Sequence, residues 1–156
     1  GRDLPNLNFQ YCFTQRNLSE KGRRQAIFYG EILRYLEIPI SISVIASPFC
    51  RTIETAQLAF GSVNVKIDPF WVEVYKLSGN LPSEERKRIL ENIQSVLETN
   101  PAGGTNKVII SHSFPKGIGL GQISNMGTVI VRPRGRGNGY EIVNRFSLED
   151  FSNLFR

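Results

Sequence analysis

Two side chains in this sequence stand where an anion could be held. His112, the single histidine of 156 residues, closes the apolar run Val108-Ile109-Ile110-Ser111 and is followed by Ser113, Phe114 and Pro115. Arg51 lies in Ser47-Pro48-Phe49-Cys50-Arg51-Thr52-Ile53-Glu54-Thr55-Ala56, directly after a second apolar run, Ile42-Ser43-Val44-Ile45-Ala46. β-rich runs that end in polar loops deliver their last side chains to the C-terminal edge of a sheet, where ligands bind in open α/β folds. Arg51 would also sit in the first turn of a helix, where unpaired N–H groups and the helix dipole already favour an anion. A guanidinium there adds bidentate donors for phosphate oxygens. Both residues have plainer readings, since an arginine at a helix start is most often solvated and an isolated histidine most often structural. Phosphate chemistry of this kind usually draws on a second histidine, which this chain lacks.

The elements that must position these residues alternate. Residues 1–17 read as a loop, with Pro5 and several asparagines. Ser19 is the predicted N-cap of a helix with apolar positions Ala26, Ile27, Gly30, Leu33 and Leu36, stopped by Pro39. A strand over 42–46 leads through a short loop into a helix over 50–60, with Gly61 as the residue after its end. Residues 63–67 alternate as a strand, whereas 68–80 are irregular, rich in aromatics and expected to form a lid or wall. A helix over 82–99 is broken by Pro101-Ala102-Gly103-Gly104, and a strand follows over 107–111. Residues 117–127 are glycine-rich with a short helical piece. Residues 128–132 and 140–145 form a predicted hairpin, and 148–155 a terminal helix. The alternation predicts an α/β fold, a three-layer sandwich with a mostly parallel central sheet flanked by helices. No repeat or linker divides the chain, so residues 1–156 are expected to form a single domain.

Composition narrows the function classes. A net charge of +5 suits an anionic ligand without requiring one. No apolar run approaches the roughly 18–20 residues that span a bilayer, so no membrane span is expected. Arg132, Arg134 and Arg136 are interleaved with proline and glycine rather than aromatics, which predicts a solvated hairpin turn and no nucleic-acid partner. Without a second histidine, and with its two cysteines far apart in sequence, the chain is expected to bind no metal. Cys12 and Cys50 are too few for a disulfide framework; two buried free thiols are the expected state and a single bridge the alternative. The start, Gly1-Arg2-Asp3-Leu4-Pro5, carries neither Met nor a signal-peptide pattern, which leaves the compartment, cytoplasmic or periplasmic, open.

Three segments, in order, resemble the histidine phosphatase superfamily, the phosphoglycerate-mutase-like proteins. Leu18-Ser19-x-x-Gly22-x-x-Gln25-Ala26 is similar to the family's L-T-x-x-G-x-x-Q-A helix start. Ser47-Pro48-x-x-Arg51-x-x-x-Thr55-Ala56 is similar to its S-x-x-x-R-x-x-x-T-A phosphate segment, and Val108-Ile109-Ile110-Ser111-His112 to the strand carrying its second histidine. The resemblance runs from about residue 14 to 145, and the opening around Cys12 resembles a bacterial phosphatase-like branch more than the glycolytic mutases.

The resemblance implies a phosphomonoester hydrolase that works through a phosphohistidine, needs no metal or organic cofactor, and takes a small-molecule or protein phosphomonoester. It implies that Arg51 binds the phosphate, with Arg16 and Asn17 at the pocket rim, and that His112 stabilises the transferring phosphoryl group. Glu73, in Trp71-Val72-Glu73-Val74-Tyr75, is the candidate acid for the leaving alcohol, chosen by position. Thr128, after Met126-Gly127, stands where many members carry an acidic residue. The Arg-His nucleophile motif and its strand are expected to precede Gly1, so the chain as given is expected to be an N-terminally truncated domain, inactive in turnover. The alternatives are a non-catalytic module of the same fold that holds a phospho-ligand or protein, and, behind it, a phosphomutase.

Overall fold

Ser19 begins the first long regular element of the computed structural model, which describes residues 1–154. Its side chain accepts a hydrogen bond from the Gly22 N–H at 3.1 Å, satisfying one of the orphan donors at the start of α1 (Glu20–Tyr35). Ala26, Tyr29, Gly30, Ile32 and Leu33 form the buried face of α1. Glu37 takes a left-handed backbone (φ 55°) and the helix ends before Pro39. After the loop of residues 47–49, the predicted second helix appears with its expected bounds, as α2 (Cys50–Phe60), and Gly61 follows it with φ 88°.

The chain divides into two compact units, Gly1–Val72 with Thr105–Ser111, and Glu73–Gly104 with the chain from His112 onward. In the first unit, β1 (Val44–Ala46), β2 (Val65–Ile67) and β3 (Ile109–Ile110) form a parallel sheet in the order β2-β1-β3. Val44 pairs with Val65, and Ala46 pairs with both Ile67 and Ile110. Val44, Ala46 and Ala56 form a buried cluster onto which Ile40, Ile53, Phe60, Val65, Val108 and Ile110 pack. α2 therefore lies on the sheet, and α1 packs on α2 across a close backbone approach. A Cβ added to Gly30 would lie 2.1 Å from the Ala59 carbonyl oxygen. This is the expected α/β arrangement of helices and parallel strands. The strands are shorter than predicted, and residues 62–64 form a 3-10 turn ahead of β2. β1 is paired on both edges, so no inner strand is left unpartnered in this sheet.

Residues 69–76 correct the expectation of an irregular wall. Asp68 accepts from the Phe70 N–H at 3.0 Å and Pro69 occupies the first helical position, which together start a 3-10 turn (Pro69–Trp71) that continues as α3 (Val72–Lys76).

The second unit holds α4 (Ser83–Leu97), the antiparallel hairpin of β4 (Thr128–Pro133) and β5 (Tyr140–Phe146), and α5 (Leu148–Asn153) with a capping box between Ser147 and Asp150. The hairpin is the predicted one. The last expected helical residue, Phe155, lies outside the described residues. The short helix expected within 117–127 is absent: Gly117, Gly119 and Gly121 take φ of 75°, 56° and 74°, a left-handed backbone incompatible with an α-helix. They instead form turns, closed by hydrogen bonds from Ile118 N to Pro115 O and from Phe114 N to Gly121 O. Arg145 donates to the Leu120 carbonyl from β5.

Glu98, 7% exposed, ties α4 to the hairpin tip. Its carboxylate accepts from the N–H groups of Gly137 (2.8 Å) and Gly139 (2.9 Å), while its carbonyl accepts from Gly135. The Gly137 and Gly139 donors, against the cost of burial, hold this carboxyl below its ordinary range. Arg132 and Arg134 flank Glu141 at 3.5 and 3.7 Å.

Cys12 and Cys50 are joined in a disulfide, which corrects the expectation of two free thiols. The fold brings their Cα atoms to 5.7 Å because residues 1–17 double back onto the start of α2.

Two outcomes follow. Reduction of the bridge, which spans 38 residues, is expected to lower the free energy of unfolding by about 4 kcal/mol, read from urea unfolding with and without a dithiol; an unchanged midpoint would contradict the bridge. Glu98 is depressed in the folded state, so its contribution is full above the ordinary carboxylate range and is lost as pH falls through the folded value. Amide-exchange protection at Gly137 and Gly139 should therefore hold down to the ordinary carboxylate range and fall below it, as pH passes through the lowered value of Glu98, and Glu98→Gln should remove that dependence while lowering protection throughout.

Candidate functional site

The first unit places Arg51 at the junction of β1 and α2. Ser47 leaves β1 fully buried; its N–H donates to the Ile110 carbonyl of β3, and its hydroxyl lies 2.8 Å from that of Thr52. Thr52 Oγ1 is also 2.8 Å from the Ser47 carbonyl and 2.9 Å from that of Phe49. These contacts set the angle at which the chain turns from strand into helix. Phe49 is the N-cap residue and offers no side-chain acceptor, so the Cys50 N–H is met from outside the helix by Gln15 Oε1 at 2.7 Å. Gln15 is itself buried and donates to the Asn8 carbonyl.

Arg51 stands in the first turn of α2. Its guanidinium carbon lies 4.5 Å above the centre of the Phe49 ring. Its fork engages Asp3: Nη1 is 2.9 Å from Oδ1 and Nη2 is 3.4 Å from Oδ2. Nη1 also donates to the Arg16 carbonyl at 3.2 Å, and the Arg16 N–H donates to Asp3 Oδ1 at 2.7 Å. The side chains of Arg51 and Asp3 are only 12% and 17% exposed, so this is a largely desolvated, charge-assisted pair. The carboxylate of Asp3 thus occupies both terminal nitrogens of the arginine.

The predicted rim residues take part unequally. Arg16 reaches the Arg51–Asp3 pair through its backbone N–H and carbonyl. The Asn17 side-chain nitrogen donates to the Cys12 carbonyl at 2.8 Å and to that of Gln15 at 3.1 Å, so it stabilises the turn before α1. The parallel order β2-β1-β3 makes β1 and β3 neighbours, so Ser47 and Ser111 leave the sheet at the same edge. The Ser111 hydroxyl is buried with no hydrogen-bond partner among the described residues. Buried polar atoms seldom stay unsatisfied.

The second unit holds the remaining candidates. His112, partly buried, lies edge-on to Tyr75, with ring centres 5.7 Å apart. Tyr75 and Glu73 both belong to α3. Glu73 Oε1 lies 3.5 Å from Lys76 Nζ, while its Oε2 is buried with no hydrogen-bond partner among the described residues. A shallow, mainly apolar depression is lined by Tyr75, Lys76, Ser78, Gly79 and Leu81. It includes neither Glu73 nor His112. Thr128 begins β4 and lines a second, more polar depression with Arg145 and Asp150. No group of three metal-ligating side chains occurs among the described residues, and no helix among them is long and apolar enough to cross a membrane.

Sequence reasoning missed Asp3, Ser111 and Tyr75. Asp3 carried no local signal, because its partner is 48 residues away. Ser111 and Tyr75 stood beside residues already singled out, and only the atomic surroundings distinguish them. Compared with known proteins, the chain matches no protein-family model and no curated sequence.

The geometry makes a direct demand on energetics. In a double-mutant cycle of Asp3→Asn and Arg51→Met, urea unfolding should give a coupling energy of about 1–3 kcal/mol. A coupling near zero would mean that the two side chains do not interact in solution.

Proposed function

We propose that this chain is the larger part of a phosphomonoester hydrolase of the histidine phosphatase type, with a phosphoglycerate-mutase-like sheet flanked by helices. The observation that carries the reading is the Arg51 fork. A guanidinium in the first turn of a helix, entered from a parallel strand, holds an oxyanion in bidentate geometry. Strand ends, helix N-terminus and planar fork are the elements from which phosphate sites are built. The ordered resemblance around Ser19, Arg51 and His112 supports the same reading, as does the unsatisfied buried oxygen of Glu73.

In this reading a histidine preceding Gly1 attacks phosphorus, and the bond from phosphorus to the leaving oxygen breaks. The resemblance assigns Arg51 to neutralising the phosphate oxygens and His112 to donating to the transferring phosphoryl group. Arg16 contributes at the rim. Glu73 gives its proton to the departing alkoxide and then takes one from the water that hydrolyses the phosphohistidine. Arginine and imidazole donors act chiefly by stabilising charge on the equatorial oxygens. No metal or organic cofactor enters these steps. The substrate is a phosphomonoester, small or carried on a protein.

The Asp3–Arg51 pair favours a second reading, a binding module of the same fold that does not turn over. Both readings meet one experiment: hydrolysis of an aryl phosphate by this chain and by a form extended at its N-terminus through an Arg-His motif. The hydrolase reading expects turnover from the extended form only. It also expects that His112→Ala or Glu73→Gln in that form lowers kcat by about 10²–10⁴-fold. Turnover by the chain as given would overturn these roles, and an inactive extended form that binds phosphate would favour the module.

A further inference from the structure

We infer that Asp3 is a built-in competitor for the anion site of Arg51, and that the Cys12–Cys50 disulfide holds it there, making the site redox-gated. The inference rests on the reading of Arg51 as a phosphate ligand, which its test examines separately.

Three observations converge on Asp3. Its two oxygens engage both terminal nitrogens of Arg51, and one of them also accepts the Arg16 N–H. Fork and backbone N–H together form the kind of donor set that would meet a phosphoryl group. With both partners mostly buried, a dianion arriving beside an ionised Asp3 would meet like charge at short range. Phosphate and Asp3 are therefore alternatives at this fork.

The segment carrying Asp3 is pinned beside that fork. Leu4 N donates to the Thr14 carbonyl at 2.8 Å, closing residues 4–14 into a loop. Thr14 Oγ1 bonds within the loop, to the carbonyls of Asn8 and Tyr11. Gln15 binds the Cys50 N–H. The covalent pin is the disulfide, whose Cys50 directly precedes Arg51. Intramolecular attachment gives Asp3 a high effective concentration at Arg51, and cutting the pin lowers it. A dithiol reductant would convert the bridge to two thiols while itself becoming oxidised to a cyclic disulfide. The loop would then keep only its non-covalent contacts. The gate is thus closed when oxidised and opens on reduction, and the ligand class it admits is a phosphate monoester or free phosphate.

The test is calorimetric titration of inorganic phosphate into the whole chain, as wild type, Asp3→Asn and Asp3→Asn/Arg51→Ala, each oxidised and reduced. Circular dichroism on every sample confirms that it is folded. The inference expects oxidised Asp3→Asn to bind at least about tenfold more tightly than oxidised wild type. Reduction should tighten wild type several-fold and leave Asp3→Asn unchanged, because the bridge acts only through Asp3. Equal affinity of oxidised wild type and Asp3→Asn overturns the competitor, and an equal response of both to reduction overturns the gate. Absence of phosphate binding in Asp3→Asn, or binding that survives Arg51→Ala, overturns the anion-site reading itself. If reduction unfolds the wild type, a Cys12→Ser/Cys50→Ser variant, which cannot form the bridge, replaces the reduced arm, with the same expectations.

Discussion

The contact on which the first unit turns is the ion pair between Asp3 and Arg51, clamped by the neighbouring disulfide. Residues 1–17 contribute little regular structure and would otherwise be held to the unit by polar contacts and by the edge-on packing of Phe9 against Phe49. The pair and the bridge fix them over the N-terminus of α2, where the orphan N–H groups of the helix need acceptors. Gln15 and Asp3 both supply acceptors in that region, one to a backbone N–H and one to a guanidinium. Breaking either link costs more than the contact itself, because removing one partner of a desolvated ion pair leaves the other charge unmet. The loop, the strand-to-helix turn and the orientation of Arg51 therefore form one cooperative assembly.

Structure and chemistry share that assembly. A desolvated arginine fork is a strong site for a phosphate, and an arginine left bare in that setting would be costly to the fold. Asp3 meets that fork with its carboxylate, and in the proposed reading it does so when no ligand does. An internal carboxylate in this position stabilises the ligand-free protein and weakens the ligand in the same measure, since both draw on the same donors. The second unit shows the opposite arrangement at Glu73, where a buried carboxylate oxygen has no donor among the described residues. A group left this way contributes little to stability.

Much of the architecture was legible because local and tertiary signals agreed. Ser19 capped the helix its type predicted, and α2 began and ended at the residues marked by the loop before it and by Gly61. The hairpin of β4 and β5 followed its alternating residues and its Pro-Gly turn. The failures have physical reasons. α3 is five residues long, too short for a periodic pattern, and its signal lay in the cap Asp68-Pro69 rather than in its own residues. The short helix expected within residues 117–127 fails because Gly117, Gly119 and Gly121 each supply a positive φ that forbids one. Of the site, Arg51 was visible in its motif, but Asp3 was not, because an acidic residue in an N-terminal loop has no pattern until the chain folds back. The cysteines were open to either state for the same reason.

The central claim is that the Arg51 guanidinium is an anion-binding fork. It is tested most directly by nuclear magnetic resonance of the arginine side-chain Nε–H signals in the Asp3→Asn chain during titration with inorganic phosphate. The account predicts a saturable shift of the Arg51 signal, with the other arginines following only weakly. A stationary Arg51 signal while surface arginines shift together would contradict it, reducing the fork to a structural clamp for the N-terminal segment.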